Sequence, residues 1–154
     1  MKTICVNSLV LVLCAVTVTG NIKWSQFFSC VTSELGARSL LDKDVFCVAL
    51  QSFSQYATML LSQCTNCDKY FHCVANRNII DSCGDSEPPT EVVIALSKCR
   101  ELSQTGTRSK DGAEDMAANE YGRNGGDCYR KYGCAYRCHY HPADGSCVPA
   151  NCDR

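Results

Sequence analysis

The sequence predicts an all-α protein, a small helical bundle with a disulfide-stapled C-terminal coil. Three observations carry that class. Apolar residues recur at helical spacing through several stretches that are set apart by good cap and break residues. No run of β-branched residues alternates with period two, so no strand is expected. Twelve of the 14 cysteines follow an apolar leader, and five fall within the 25 residues from Cys128 to Cys152.

Each helix has its own signal. Trp24, Phe27, Phe28, Val31 and Leu35 lie at i, i+3, i+4, i+7 and i+11 and form one stripe, with Gly36 as the stop. A second helix opens at Asp42 or Asp44, whose short carboxylates suit an N-cap. Its apolar residues begin at Val45 and continue through Phe53, Tyr56, Met59, Leu60 and Leu61 to an end near Gln63. Asp68 caps a third helix that runs to Asn76 or Ile80. The stretch from Gly84 to Pro89 is a break, and Pro88-Pro89 excludes helix there. Thr90-Glu91 open a fourth helix with Val93, Ile94, Leu96, Cys99 and Leu102 facing inward. After a polar linker from Thr105 to Lys110, a short fifth helix spans Asp111 to Tyr121, closed by Gly122 or by Gly125-Gly126. From Cys128 onward the cysteines leave no room for a conventional core, and a coil with one helical turn near Tyr132 to Cys138 is expected.

Residues 1–20 read as an export signal: Lys2 supplies the positive start, Ile4 to Val18 is mostly apolar, and small residues precede a cleavage point after Gly20. The apolar run is too short for a bilayer, which needs about 20 such residues. The expected organisation is a helical domain over 21–126 and a cysteine-rich tail over 127–154, packed on or beside the bundle. Cys30, Cys47, Cys64, Cys67, Cys73, Cys83, Cys99, Cys128, Cys134, Cys138, Cys147 and Cys152 remain after cleavage. An even number behind an export signal reads as six disulfides in a secreted, extracellular protein, with pairing undetermined by sequence. Without Lys2, 14 basic side chains face 16 acidic ones. No basic stripe exists, which argues against nucleic acid as partner.

Four strings fall in the order of one known family. Asp68-Lys69-Tyr70-Phe71-His72 resembles the D-K-Y-F-H block of the serum amyloid A family. The segment from Ala118 to Gly125, A-N-E-Y-G-R-N-G, is similar to its A-N-E-W-G-R-S-G. His139-Tyr140-His141-Pro142-Ala143 resembles H-F-R-P-A, and the helix from Ile94 to Glu101 resembles I-S-D-A-R-E more loosely. The likeness covers about residues 68–145. The family's glycine-rich turn after D-K-Y-F-H is missing, and its familiar members are cysteine-poor. The resemblance implies a helical bundle tied by its C-terminal coil. It also implies a secreted, non-enzymatic, acute-phase or innate-defence protein that binds lipid or lipoprotein surfaces or a small hydrophobic ligand. Asp68, Tyr70, Phe71, Asn119, Glu120, Tyr121, Arg123 and Pro142 would then be architectural, with Arg123 forked onto a carboxylate such as Asp68 or Glu101.

Other chemistry is thin. The helix bearing Trp24, Phe27, Phe28 and Val31 could lie on lipid or hold an apolar ligand, although its polar side is poor in lysine. Cys64-Thr65-Asn66-Cys67 has the spacing of a redox pair, but no βαβ unit surrounds it, so structural bridges to separate partners are expected. Cys134, Cys138, His139 and His141 have the residue types of a zinc site, yet export favours oxidised thiols, and neither metal nor cofactor is expected. No nucleophile sits beside a base, so no enzyme is expected. His72, next to Tyr70-Phe71, reads as a satisfied histidine. A second reading is a signalling or toxin-like ligand whose C-terminal cysteine cluster engages a cell-surface receptor, with its tyrosines and arginines as hot spots.

Overall fold

The computed structural model describes residues 22–36, 42–62, 64, 67–104, 110–135, 138–141, 143 and 146–149. Helix α1 spans Trp24–Leu35, α2 Lys43–Leu61, α3 Asp68–Cys83, α4 Glu87–Gln104, α5 Lys110–Arg123 and α6 Cys128–Tyr132. The leader at 1–20 and the linker at 105–109 lie outside the described residues. The chain is a helical bundle, as its periodicity predicts.

Caps explain several boundaries. Asp42 accepts from the backbone N–H groups of Asp44 and Val45 at the start of α2, which satisfies two donors that have no partner inside the helix. Gly36 stops α1 with φ 61°, a conformation that a glycine adopts without a Cβ penalty. Asp127 performs the same capping service for α6, accepting from Arg130 N. The double proline does not exclude helix: α4 begins at Glu87, so Pro88 and Pro89 occupy its first turn. Their missing N–H groups have no intrahelical acceptor at that position anyway, and the fixed proline φ suits the turn.

Helix α3 is the centre, packed against α2, α4, α5 and α6. One apolar cluster joins Val45, Val48, Ile79, Val92 and Val93 from α2, α3 and α4. A second joins Cys67, Tyr70, Phe71, Cys73, Ala118 and Cys128, with Tyr121 and Tyr132 against it. Helix α1 runs antiparallel along α4: Lys23 N donates to Ser103 O at one end, and Glu34 meets Lys98 at 2.8 Å at the other. Ile94 and Leu102, expected inward, instead face out at 39% and 38% exposure. The buried positions of α4 are Pro89, Val92, Val93, Ala95, Cys99, Glu101 and Ser103, and the i, i+4, i+8 row of Ile94, Lys98 and Leu102 stays at the edge of the covered surface.

Four disulfides are formed among the described residues. Cys30–Cys99 ties α1 to α4, Cys47–Cys83 ties α2 to α3, and Cys73–Cys128 ties α3 to α6. Cys64 and Cys67 are bonded to each other, not to separate partners as expected. The side chains of Cys134, Cys138, Cys147 and Cys152 lie outside the described residues.

The tail departs from a coil. After α6 comes a three-stranded antiparallel sheet, β1 (Cys134–Ala135), β2 (Cys138–His141) and β3 (Ser146–Pro149). Its register places His139 opposite both Cys134 and Val148. The helical turn precedes the sheet at 128–132, ahead of its expected place. Strands only two to four residues long show no readable alternation, which is why the period-two signal is missing.

Candidate functional site

Two features stand out, an aromatic ridge on α1 and a polar network buried between α3, α4 and α5. On α1, Trp24, Phe27 and Phe28 contact one another with ring centroids 5.6–5.9 Å apart. The helix buries no residue completely: Trp24, Phe27 and Val31 are half-covered, and Phe28 is 43% exposed. Beside its C-terminal end lies an open groove of about 400 Å³ lined by Glu34, Leu35, Glu91, Ile94 and Ala95. Phe46 and Leu50 on α2 are also more than half exposed. An apolar surface thus remains on α1, α2 and α4, while α5 presents no large exposed apolar residue.

The network comes from two polar stripes. Lys69, His72 and Asn76 lie at i, i+3 and i+7 on α3, and Asp111, Asp115, Asn119 and Arg123 lie at four-residue steps on α5. These stripes face each other, and α4 adds Ser97, Arg100 and Glu101. Asn76 Nδ2 donates to Asn119 Oδ1 at 2.8 Å and to His72 O at 3.1 Å. Its Oδ1 accepts from Arg123 Nη1 at 2.8 Å and Ser97 Oγ at 3.4 Å. Asn76 therefore uses all of its hydrogen-bonding capacity.

His72 is buried and neutral. Its Nδ1 donates to Asn119 Oδ1 at 3.0 Å, while Nε2 accepts from Arg100 Nη1 at 2.5 Å. Burial, and then the Arg100 charge, depress its pKa to about 3. With both ring nitrogens engaged, His72 has no site left for a substrate proton.

Lys69 Nζ sits 2.6–2.7 Å from Asp68, Asp111 and Asp115. Burial opposes its charge, but the three carboxyl groups outweigh burial and hold its pKa above the usual lysine value. Asp68 is pulled down in turn: burial raises its pKa, and Lys69 more than reverses that. On the other side of Asp115, Glu101 is fully buried. Burial, reinforced by Asp115, pushes its pKa up to about 7 against the pull of Arg100. Glu101 Oε1 accepts from Arg100 at 2.7 Å, while no donor reaches Oε2 among the described residues.

His72, Glu101 and Asp115 place one donor atom each within 4.8 Å of one another, as do Asp68, Asp111 and Asp115. Both sets have the donor chemistry of a metal site. Both are already filled by a cation of the chain. The Arg100 guanidinium stands 2.5 Å from His72 and 2.7 Å from Glu101, and the Lys69 ammonium stands among the three aspartates. The residues do not fit a metal without expelling those side chains.

The residues singled out by sequence fall in different places. Tyr70 and Phe71 are buried and meet edge to face at 5.5 Å. Asn119 is in the network, Glu120 is exposed, and Tyr121 meets Tyr132 edge to face at 5.9 Å with Lys131 over its ring. Only Tyr121 of that string therefore reaches toward the tail, through α6. Arg123 bonds the Asn76 side-chain oxygen in place of a carboxylate: Asp68 is taken by Lys69, and Glu101 by Arg100. Burial lowers its pKa. Pro142 lies outside the described residues, as do the side chains of Cys134, Cys138 and His139 in the zinc reading. Arg100, Asp115 and Asn76 carry no sequence signal that groups them, and Glu101 is expected from sequence only as a partner of Arg123.

Arg123→Ala leaves Asn76 Oδ1 with the weak Ser97 contact alone. A loss of about 1–2 kcal/mol is expected, read as a lower denaturation midpoint; an unchanged midpoint would mean that the guanidinium contributes nothing.

The buried polar residues of the bundle are largely paired with one another. A family model described as serum amyloid A protein matches residues 43–143. The chain belongs to the serum amyloid A family, whose members are non-enzymatic. The match begins at Lys43, well ahead of the D-K-Y-F-H string, and leaves α1 outside it. Neither a curated protein nor a solved structure matches the chain. The family association and the disulfides favour an extracellular location. No helix among the described residues is long and apolar enough to cross a membrane.

Proposed function

We propose that this protein is a secreted, disulfide-stabilised serum amyloid A that binds a lipid or lipoprotein surface, or a small hydrophobic ligand, in extracellular defence. It works by binding and not by catalysis. The observation that supports this most directly is the α1 ridge. Three aromatic rings gather on a helix with no fully buried residue, and a soluble domain rarely leaves such a cluster part-exposed without a use. Cys30–Cys99 pins the helix, so the ridge is presented on a fixed support.

Trp24 is the single tryptophan, so its fluorescence reports on α1 alone. With phosphatidylcholine vesicles its emission is expected to shift to the blue and become shielded from aqueous quenchers. Phe28→Ser, which keeps the reporter, is expected to weaken vesicle binding by about tenfold, the effect of losing one immersed ring. An emission spectrum indifferent to vesicles would remove the lipid reading. The second reading, a receptor ligand acting through the tail, is favoured by one observation: among the described residues, the sheet packs on itself and on α6. In that case the protein ignores vesicles, and the oxidised fragment from Asp127 to Arg154 retains activity.

A further inference from the structure

The four bridges are not alike. Cys30–Cys99, Cys47–Cys83 and Cys73–Cys128 each join two helices across 69, 36 and 55 residues. Cys64–Cys67 spans three and lies within the single connection from α2 to α3, so it ties no two helices together. Closing the longer loops restricts the unfolded chain about thirty- to seventy-fold more, by the three-halves power of loop length. Cys47 and Cys83 are partly exposed as well, but breaking their bridge removes a tie between two packed helices, as does breaking Cys30–Cys99 or Cys73–Cys128, whereas breaking Cys64–Cys67 removes none.

Access is equally one-sided. Cys64 is partly exposed, while Cys67 is 1% exposed and packed with Tyr70, Phe71 and Cys73. Cys67 is also the N-cap residue of the 16-residue helix α3. A thiolate formed there is stabilised by the positive end of the α3 helix dipole.

We propose that Cys64–Cys67 is a thiol–disulfide exchange site, reduced selectively by external dithiols while the other three bridges stay closed. An incoming thiolate attacks Cys64 Sγ and forms a mixed disulfide. The Cys64–Cys67 bond breaks and Cys67 leaves with the electron pair as a thiolate. The second thiol of the dithiol then attacks its own sulfur in the mixed disulfide and releases the Cys64 thiolate. The dithiol ends as a disulfide, and its two protons pass to Cys64 and Cys67.

Graded dithiothreitol on the folded full chain, with alkylation and peptide mass spectrometry, tests this. Cys64 and Cys67 are expected to be labelled at about a tenfold lower dithiothreitol concentration than Cys30, Cys47, Cys73, Cys83, Cys99 or Cys128, with the helical signal intact. Labelling of any of those six first, or labelling of Cys64 and Cys67 only as helix is lost, overturns the proposal. The Cys64→Ser/Cys67→Ser variant is expected to melt within about 5 °C of the parent. A large drop in melting temperature would make the bridge a structural staple instead.

Discussion

Gly122→Ala is expected to be among the most damaging single changes in the molecule, costing about 3 kcal/mol or more and lowering the melting temperature by on the order of 10 °C. Gly122 lies inside α5 where that helix crosses α3. A Cβ there would fall onto the carbonyl oxygen of Cys73, 2.9 Å from its carbonyl carbon and 3.1 Å from its Cα. All three obstacles are backbone, so no rotamer change relieves them. Nor can α3 back away, because Cys73 is bonded to Cys128 and its neighbours pack with Ala118 of α5. Gly36→Ala is the control. Its φ of 61° and ψ of −140° disfavour a side chain, but nothing lies within 4 Å, so only the backbone strain remains, about 1–3 kcal/mol. Thermal unfolding followed by far-UV circular dichroism separates the two. Equal losses would show that α5 and α3 do not approach as closely at Gly122.

That glycine marks where sequence reading succeeded and where it stopped. Gly122 is visible as a special residue, but locally it reads as a helix terminator, because only the partner helix reveals that it is a crossing point. The helices themselves are legible where stripe and cap agree, as at Gly36 after α1 and Asp42 before α2, although Asp68, expected to cap α3, is its first residue and Cys67 holds the cap position. Orientation is less legible on α4: Ile94 and Leu102 are as apolar as Val92 and Val93, and only the positions of α1, α2 and α3 decide which row is covered. Cys64 and Cys67 are expected from sequence to bridge to separate partners and instead bond to each other, since cysteine spacing fixes distance along the chain and not in space. On the candidate surface, the aromatic trio of α1 is fully visible as a period. The network could not be assembled from sequence, because its members come from three helices and each looks like an ordinary surface polar residue. Arg123 illustrates this, since its partner was sought among carboxylates that two other cations had already claimed.

The network makes a second large prediction, with opposite sign to ordinary core mutagenesis. Glu101→Gln is expected to be neutral near about pH 5 and to stabilise the protein by about 1–3 kcal/mol at about pH 8. The folded pKa of Glu101, about 7, stands above its ordinary value of 4.5. Its contribution to stability is therefore complete below about pH 4.5 and is lost as pH rises through about 7, when a buried carboxyl must give up its proton. His72 works the other way. Its folded pKa of about 3 lies below the ordinary 6.5, so its contribution is complete above about pH 6.5 and is lost as pH falls toward 3. Between about pH 4.5 and 6.5 the unfolded chain holds one proton on His72 while the native protein holds one on Glu101. Uptake is equal in the two states, and the parent should show a flat stability profile there. Glutamine removes one side of that balance. Its carbonyl can still accept from Arg100, and its amide replaces the carboxylic proton toward Asp115, so it mimics the neutral form at every pH. The variant should lose the plateau and fall steadily in stability below about pH 6.5, meeting the parent near pH 5. Urea denaturation across this range measures it. A variant weaker than the parent by the same amount at every pH would mean that Glu101 is an ordinary ion-pair partner of Arg100, charged throughout.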